Sequence, residues 1–286
     1  MAEIGFIGGS GLYRLDGIAG ARQVPVETPF GQAAPVVGEF GGREVAFVSR
    51  HGTGHRVPPA GIPARANVYA LKSLGVRRLV GVSAVGSLRR SYEPGHLVVP
   101  DQIVDWTRGG RPASFFGEDL VVHVSLADPY CGELRDALVT AARDASGAPV
   151  HDGGTYICIE GPQFSTRAES ELYRSFGMDV IGMTAMPEAR LAREAELCYA
   201  GVALVTDYDC WHPGEDAVDA DLVAGRMAEN VRAAEQALAA LIRKLPEEPG
   251  CACGEALAHA IITDRAAVPS VVAERLGLLV GRYLPQ

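Results

Sequence analysis

Residues 200–209 read AGVALVTDYD. Six apolar residues in a row, without alternation, describe a strand buried on both faces, as in a parallel sheet. The run stops at two acidic residues, Asp207 and Asp209. On the C-terminal side, 219–245 gives the clearest helical pattern, with Leu222, Val223, Met227, Val231, Leu238, Leu241 and Ile242 mostly at helical spacings. On the N-terminal side, PEARLAREAELCY (187–199) opens with Pro-Glu, favoured in a first turn, and predicts a helix.

The alternation continues backwards. DGGTYICIE (152–160) reads as a strand feeding the loop GPQFSTRAES (161–170) and a helix, and RRLVGVSAVGSL (77–88) as an apolar strand ending in small residues. PARANVYALKSL (63–74) has helical spacing, with Pro63 in its first turn and Gly75 as its stop. VPVETPFG, APVVGEF and GREVAFVSRHG form a strand-rich stretch, and EIGFIGGSGLY (3–13) is a short buried strand broken by a glycine turn. Strands alternating with helices, with no linker and no repeat, predict one α/β domain over 1–286.

Composition excludes several classes. Hydrophobic residues are 48% and charged residues 21% of the chain, which rules out a disordered chain. No apolar run reaches membrane-span length, and the N-terminus has no basic region before an apolar one, so no membrane partner, no signal peptide and a cytoplasmic location are expected. With 26 Lys+Arg against 35 Asp+Glu, a net charge of −9, and no basic cluster beyond Arg77-Arg78 and Arg89-Arg90, nucleic acid is disfavoured. The six cysteines are scattered and are expected to be thiols. Cys251-Ala-Cys253 resembles half a metal site, but no second half stands at zinc-finger spacing; His212 and His259 are the only recruits, and inert thiols or a local disulfide are preferred. No metal is expected.

The polar candidates cluster where strands end, which is where open α/β sheets place ligands. Gly8-Gly9-Ser10-Gly11 is a generic tight turn or a phosphate cradle of backbone N–H groups and a hydroxyl. It lacks the third glycine of a dinucleotide fingerprint. Arg50-His51 ends a strand and is either surface polarity or a fork for an oxyanion. Residues 83–87 (SAVGS) close another strand with small residues that let a ligand approach the backbone. Asp207 and Asp209, at i and i+2 on a strand end, point the same way, and desolvation or crowding would raise one pKa and leave an acid beside an ionised acceptor. Adenine presents that complement at N7 and the 6-amino group; a solvated turn or a pair of metal ligands is the other reading.

Taken in order, IGFIGGSGLY, ETPFG, SRHGTGH, RANVYALKSLGV, SAVGSL, VPDQIVDWT, HVSLADPYC, IEGPQFSTRAES, VIGMTAMPEA and TDYDCW resemble the purine nucleoside phosphorylase superfamily, in its methylthioadenosine phosphorylase branch. The tail CACGEALAHAIIT is similar to that of microbial members. The resemblance implies a twisted mixed sheet flanked by helices, a homotrimer or homohexamer, and phosphorolysis of 5′-methylthioadenosine with phosphate as co-substrate and no cofactor. It implies that Ser10, Arg50, His51, Ser83, Ala84 and Thr184 hold phosphate. Met183 and Phe164 would lie near sugar and base, Ser165, Asp207 and Asp209 would address adenine, and His123 would be lent to an adjacent subunit.

Asp207 would protonate N7, where the 6-oxopurine branch carries Asn. Ala220 and Val223 offer no hydrogen bond to a 5′-hydroxyl, and an apolar 5′ pocket suits a methylthio group. Cys131–Cys198 and Cys251–Cys253 are bridge candidates by resemblance to heat-stable members; thiols remain the expectation. The sequence departs from the family pattern at Ala220, at Ile62-Pro63-Ala64 and at Gly182, the last shared with relatives that prefer methylthioinosine.

Overall fold

A computed structural model describes residues 2–213 and 220–285, with side chains described outside 220–225. The N-terminal part holds β1 (Ile4–Gly8), β2 (Ala19–Gln23), β3 (Val26–Thr28), β4 (Gly31–Ala33), β5 (Val36–Phe40) and β6 (Arg43–Ser49). Next come α1 (Ala64–Ser73), β7 (Arg78–Ser87), β8 (Leu97–Val99), β9 (Gln102–Trp106), α2 (Gly132–Ala145), β10 (Val150–Asp152) and β11 (Thr155–Ile159). The remainder is α3 (Arg167–Ser175), β12 (Val180–Gly182), α4 (Ala185–Glu194), β13 (Cys198–Asp207), α5 (Ala220–Lys244), α6 (Ser270–Arg275) and α7 (Gly277–Val280).

Eleven strands form one mixed sheet whose path runs β10-β8-β13-β7-β1-β6-β5-β2, with β12 joining β7 and leading to β11 and β9. The central pairs β13–β7, β7–β1 and β1–β6 are parallel, so these strands present their C-terminal ends at one edge. All ten residues of β13 are buried. Its even-numbered Cys198, Ala200, Val202 and Leu204 join a core with Leu134 and Leu138 of α2 and Leu238, Leu241 and Ile242 of α5. Its odd-numbered Tyr199, Ala203 and Val205 join a second core with Val68 and Leu71 of α1 and Ala189 and Leu191 of α4. Two-sided burial by helices explains the unbroken apolar run.

Several boundaries differ from the sequence reading. The helix predicted over 187–199 stops at Glu194, because Glu196 adopts a left-handed φ of 55° and Cys198 starts pairing with Arg78 of β7. The apolar Leu-Cys-Tyr that looked helical belongs to the turn and to β13. α2 and the fully exposed β2 carried no recognised signal. Gly75, at φ 96°, does terminate α1 as predicted. Among the described residues no helix is long and apolar enough to cross a membrane.

The reading that Cys251 and Cys253 lack a second half is corrected by the fold. The tail returns to the N-terminal end of β13, where the sulfurs of Cys131, Cys198, Cys251 and Cys253 lie within 4.8 Å of one another. All six cysteines are unbridged.

Candidate active site

The C-terminal edge of the parallel strands opens into a cavity of about 390 Å³. Each wall is the continuation of a strand: Gly9 and Ser10 after β1, Arg50 and His51 after β6, Ser83 to Gly86 in β7, Met183 and Thr184 after β12, and Thr206 and Asp207 at the end of β13. The loop after β11 adds Pro162, Phe164 and Ser165. This loop is held by the capping box that starts α3: Thr166 Oγ1 accepts from the Glu169 amide, and Glu169 Oε2 accepts from the Thr166 amide. The site therefore lies where the sheet's topology places it.

The glycine turn works differently from the cradle envisaged. The Gly9 amide donates to Val82 O at 3.0 Å and is committed to the sheet. A Cβ on Gly9 would stand 2.7 Å from Arg50 Nη1 and 2.9 Å from Val82 O, so glycine is needed for close packing against the guanidinium.

Arg50 is 3% exposed and its partner Glu188 is 4% exposed. Arg50 Nε and Nη2 donate to the Glu188 carboxylate at 2.9 and 3.0 Å, a bidentate pair. Nη2 also donates to Ile7 O at 3.3 Å, and Nη1 donates to Val82 O at 2.9 Å. Burial works against the guanidinium charge, but the adjacent Glu188 outweighs it and raises the Arg50 pKa. Arg50 thus enters the cavity as a charge already paired. Arg56, exposed and also lining the cavity, is a further cation that the sequence reading did not single out.

His51 lies stacked on His55, with ring centroids 4.1 Å apart, and its Nδ1 is 2.8 Å from Val57 O. Burial, with a smaller contribution from the Arg50 charge, lowers its pKa to about 4. Neutral imidazole then donates Nδ1–H to Val57 and leaves Nε2 as an acceptor. The unfolded chain takes up this proton near pH 6.5. Between pH 6.5 and about 4 the unfolded state binds more protons, so stability falls on acidification across that window and not further below it. His51→Gln is expected to flatten this part of the urea-stability profile; parallel profiles for the two proteins would contradict it.

Asp207 and Asp209 are 3% and 5% exposed, and both line the cavity. They converge by a turn, not by strand pleating. β13 ends at Asp207, its pairing with β7 slips between Val205 and Asp207, and Asp209 has a left-handed φ of 51°. The Asp209 amide donates to Asp207 Oδ1 at 2.8 Å. Asn230 and Arg226 of α5 donate to Val205 O and Thr206 O at 2.9 and 3.0 Å, holding the irregular strand end. Asp209 Oδ2 is buried with no hydrogen-bond partner among the described residues. Burial raises the Asp209 pKa, opposed by the nearby Ser170 and Ser165 hydroxyls.

Of the residues named from sequence, Ser10, Arg50, His51, Ser83, Ala84, Phe164, Ser165, Met183, Thr184, Asp207 and Asp209 line the one cavity. His123 is exposed and away from it, its amide bonded to Ala260 O at 2.8 Å. Ala220 and Val223 fall in α5, but their side chains lie outside the described residues. Glu188 was missed, although it stands in the quoted motif VIGMTAMPEA; its partner Arg50 is 138 positions away, and no local pattern links them. His55, also missed, stands in the quoted SRHGTGH.

Residues 3–244 match the family model described as the phosphorylase superfamily, and the chain belongs to that family. An S-methyl-5′-thioadenosine phosphorylase of Geobacter sulfurreducens is 51% identical over 283 residues, covering 98% of this chain and 99% of the relative. One of Koribacter versatilis is 50% identical over 284 residues, covering 99% and 97%. The crystal structure of a methylthioadenosine phosphorylase from an antarctic soil metagenomic library superposes with a TM-score of 0.91 at 48% identity, covering 97% and 98% of the two chains. The Schistosoma mansoni methylthioadenosine phosphorylase in complex with adenine gives 0.82 at 33% identity, covering 98% of each chain.

Proposed function

We propose that this chain is a pentosyltransferase that cleaves 5′-methylthioadenosine with phosphate, yielding adenine and 5-methylthioribose 1-phosphate. The observation that carries the reading is one cavity with hydroxyls and Arg50 at one part of its wall and the Asp207–Asp209 pair at another. Relatives about 50% identical over the full chain bear that activity in their names. We take residues 1–286 as one catalytic domain, working in the cytoplasm in purine and methionine salvage.

Phosphate sits among Ser10, Ser83, Ala84, Thr184, His51 and the Arg50 guanidinium. Because His51 Nε2 is an acceptor, it accepts a hydrogen bond from the P–OH of monohydrogen phosphate, which turns the charged oxygens toward the hydroxyls. Phosphate then attacks C1′ from the face opposite the base, and its charge stabilises the oxocarbenium-like sugar. Asp207 donates a proton to N7 as adenine leaves, and Asp209 accepts from the 6-amino group.

The hydrogen-bond network accommodates a neutral Asp207. Thr206 Oγ1 is 2.7 Å from Asp207 Oδ2 and 3.2 Å from Val85 O. Its single proton can go to Val85, whereupon Asp207 supplies the proton between the two oxygens. Burial holds the Asp209 carboxyl above its usual range, which favours a retained proton at this end of the cavity. The proposed chemistry uses phosphate as co-substrate and needs no organic cofactor or catalytic metal. His123 would complete a neighbouring subunit's site in a homotrimer or homohexamer, with no nucleic acid or membrane partner.

A second reading, phosphorolysis of methylthioinosine or inosine-type nucleosides, is favoured by Gly182, which lines the cavity and places no amide there. A Cβ on Gly182 would lie within 1.9 Å of the Tyr156 hydroxyl, so that oxygen fills the space a side chain would take. Product analysis with methylthioadenosine, methylthioinosine and inosine, with and without phosphate, separates them. Adenine release that requires phosphate, with slow hypoxanthine release, is expected. Preferential hypoxanthine release would establish the second reading, and turnover without phosphate would mean a hydrolase.

A further inference from the structure

At the end of the molecule opposite the cavity, four cysteines from three separated stretches meet. Cys131 is the N-cap of α2, Cys198 is the first residue of β13, and Cys251 and Cys253 belong to the returning tail. Nine residue steps of β13 separate Cys198 from Asp207, about 30 Å at strand rise, so the cluster is remote from the chemistry. All four sulfurs lie within 4.8 Å of one another. Cys251 Sγ is 3.5 Å from Cys131 Sγ and 3.2 Å from Cys198 Sγ.

We propose that these four cysteines form a tetrathiolate site for a divalent zinc-type metal ion, which anchors the tail to the sheet. Two disulfides would require each sulfur to approach one partner. Here one sulfur is shared between two neighbours, and all four lie within 4.8 Å of one another, close enough to share one ion. Four sulfurs at ~2.3 Å from a zinc ion stand about 3.8 Å apart, a spacing the cluster reaches with small side-chain shifts. Cys131, Cys198 and Cys253 are buried, so the centre is shielded.

The surroundings suit the net −2 charge of such a centre. The Leu134 amide donates to Cys131 Sγ at 3.5 Å, at the N-terminus of α2, where the helix dipole favours negative charge. Arg193 Nη1 donates to Cys253 Sγ at 3.8 Å, and Lys72 lies within electrostatic range of Cys198. Backbone hydrogen bonds fix two ligands in advance: the Cys131 amide to Tyr199 O at 2.7 Å, and the Cys198 amide to Arg77 O at 2.9 Å. Outer contacts of this kind orient metal ligands.

The site has a structural consequence. Downstream of Cys253 the tail pairs with the segment around His123: Val122 bridges Ile261, and the Ile262 amide donates to Val121 O at 2.9 Å. Tying the tail at residues 251 and 253 therefore steadies that segment. The four thiols release their protons to solvent as the metal binds.

The test is titration of the full-length, fully reduced chain with Co²⁺ under anaerobic conditions, after thiol counting confirms that the cysteines are free. One cobalt per chain, with the charge-transfer and visible ligand-field bands of a tetrahedral S4 centre, displaced stoichiometrically by Zn²⁺, is expected. Cys251→Ser, at the most exposed of the four, should convert the spectrum to that of an S3 centre. Hydrogen exchange of the His123 and Ile262 amides should slow on metal addition. Four free thiols that give no S4 spectrum at excess cobalt would overturn the site. Metal binding without added protection of those amides would overturn its anchoring role.

Discussion

Asp207→Asn is expected to lower kcat/KM for 5′-methylthioadenosine by about 10²- to 10⁴-fold, the range general acid catalysis supplies. The loss on a 6-oxopurine nucleoside should be far smaller. Asp207 is buried at the end of β13, with one oxygen against the Asp209 amide and the other against Thr206. Asparagine fits the same volume and can hydrogen-bond N7, but it has no proton to give up. A 6-oxopurine leaving group can instead take the amide on both O6 and N7, so the amide is compatible with it. Steady-state kinetics on methylthioadenosine and methylthioinosine with the same two enzymes decide the point. Equal losses on both would remove Asp207 from base selection.

The second large effect belongs to a residue that touches no substrate in the proposed mechanism. Glu188→Ala should destabilise the protein by about 3–5 kcal/mol, the cost of leaving one member of a buried ion pair alone. Arg50 would keep its charge among Val82 O, Ile7 O and apolar walls, and the Tyr199 hydroxyl, which donates to Glu188 Oε1 at 2.9 Å, would lose its acceptor. Urea unfolding measures the loss. Phosphate, which the proposed mechanism places beside Arg50, should then act as a substitute counter-ion and restore more stability to the variant than to the parent. Glu188→Gln, which keeps the hydrogen-bonding shape without the charge, should fall between the two. A loss below about 1 kcal/mol would mean that the pair behaves as an exposed one, with water reaching the guanidinium.

In the proposed mechanism the Arg50–Glu188 pair is close to charge-neutral, so hydroxyls, the acceptor nitrogen of His51 and the exposed Arg56 would set phosphate affinity. Such a site would bind a dianion without a large field of its own, in keeping with a chain that carries nine more acidic than basic groups.

What the sequence by itself determined is local and periodic. The unbroken apolar run of 200–205 announces a strand covered on both faces, Gly75 stops a helix, and the polar residues after each strand name most of the cavity wall, because burial and turn chemistry are written in adjacent residues. Asp207 and Asp209 do face one cavity, but for a reason the structure replaces. Strand pleating should have aligned them, whereas a register slip after Val205 and a left-handed Asp209 turn the chain so that the Asp209 amide donates to Asp207 Oδ1. The tertiary structure alone decided which distant groups share a dielectric. It set Glu188 on Arg50 across 138 positions, turned the Gly9 amide into the sheet, and carried Cys251 to Cys131 and Cys198 across 120 and 53 positions. These pairings depend on where β13 and the tail come to rest against the rest of the chain. Charge pairing and thiol clustering act through space, so no pattern of neighbouring residues records them.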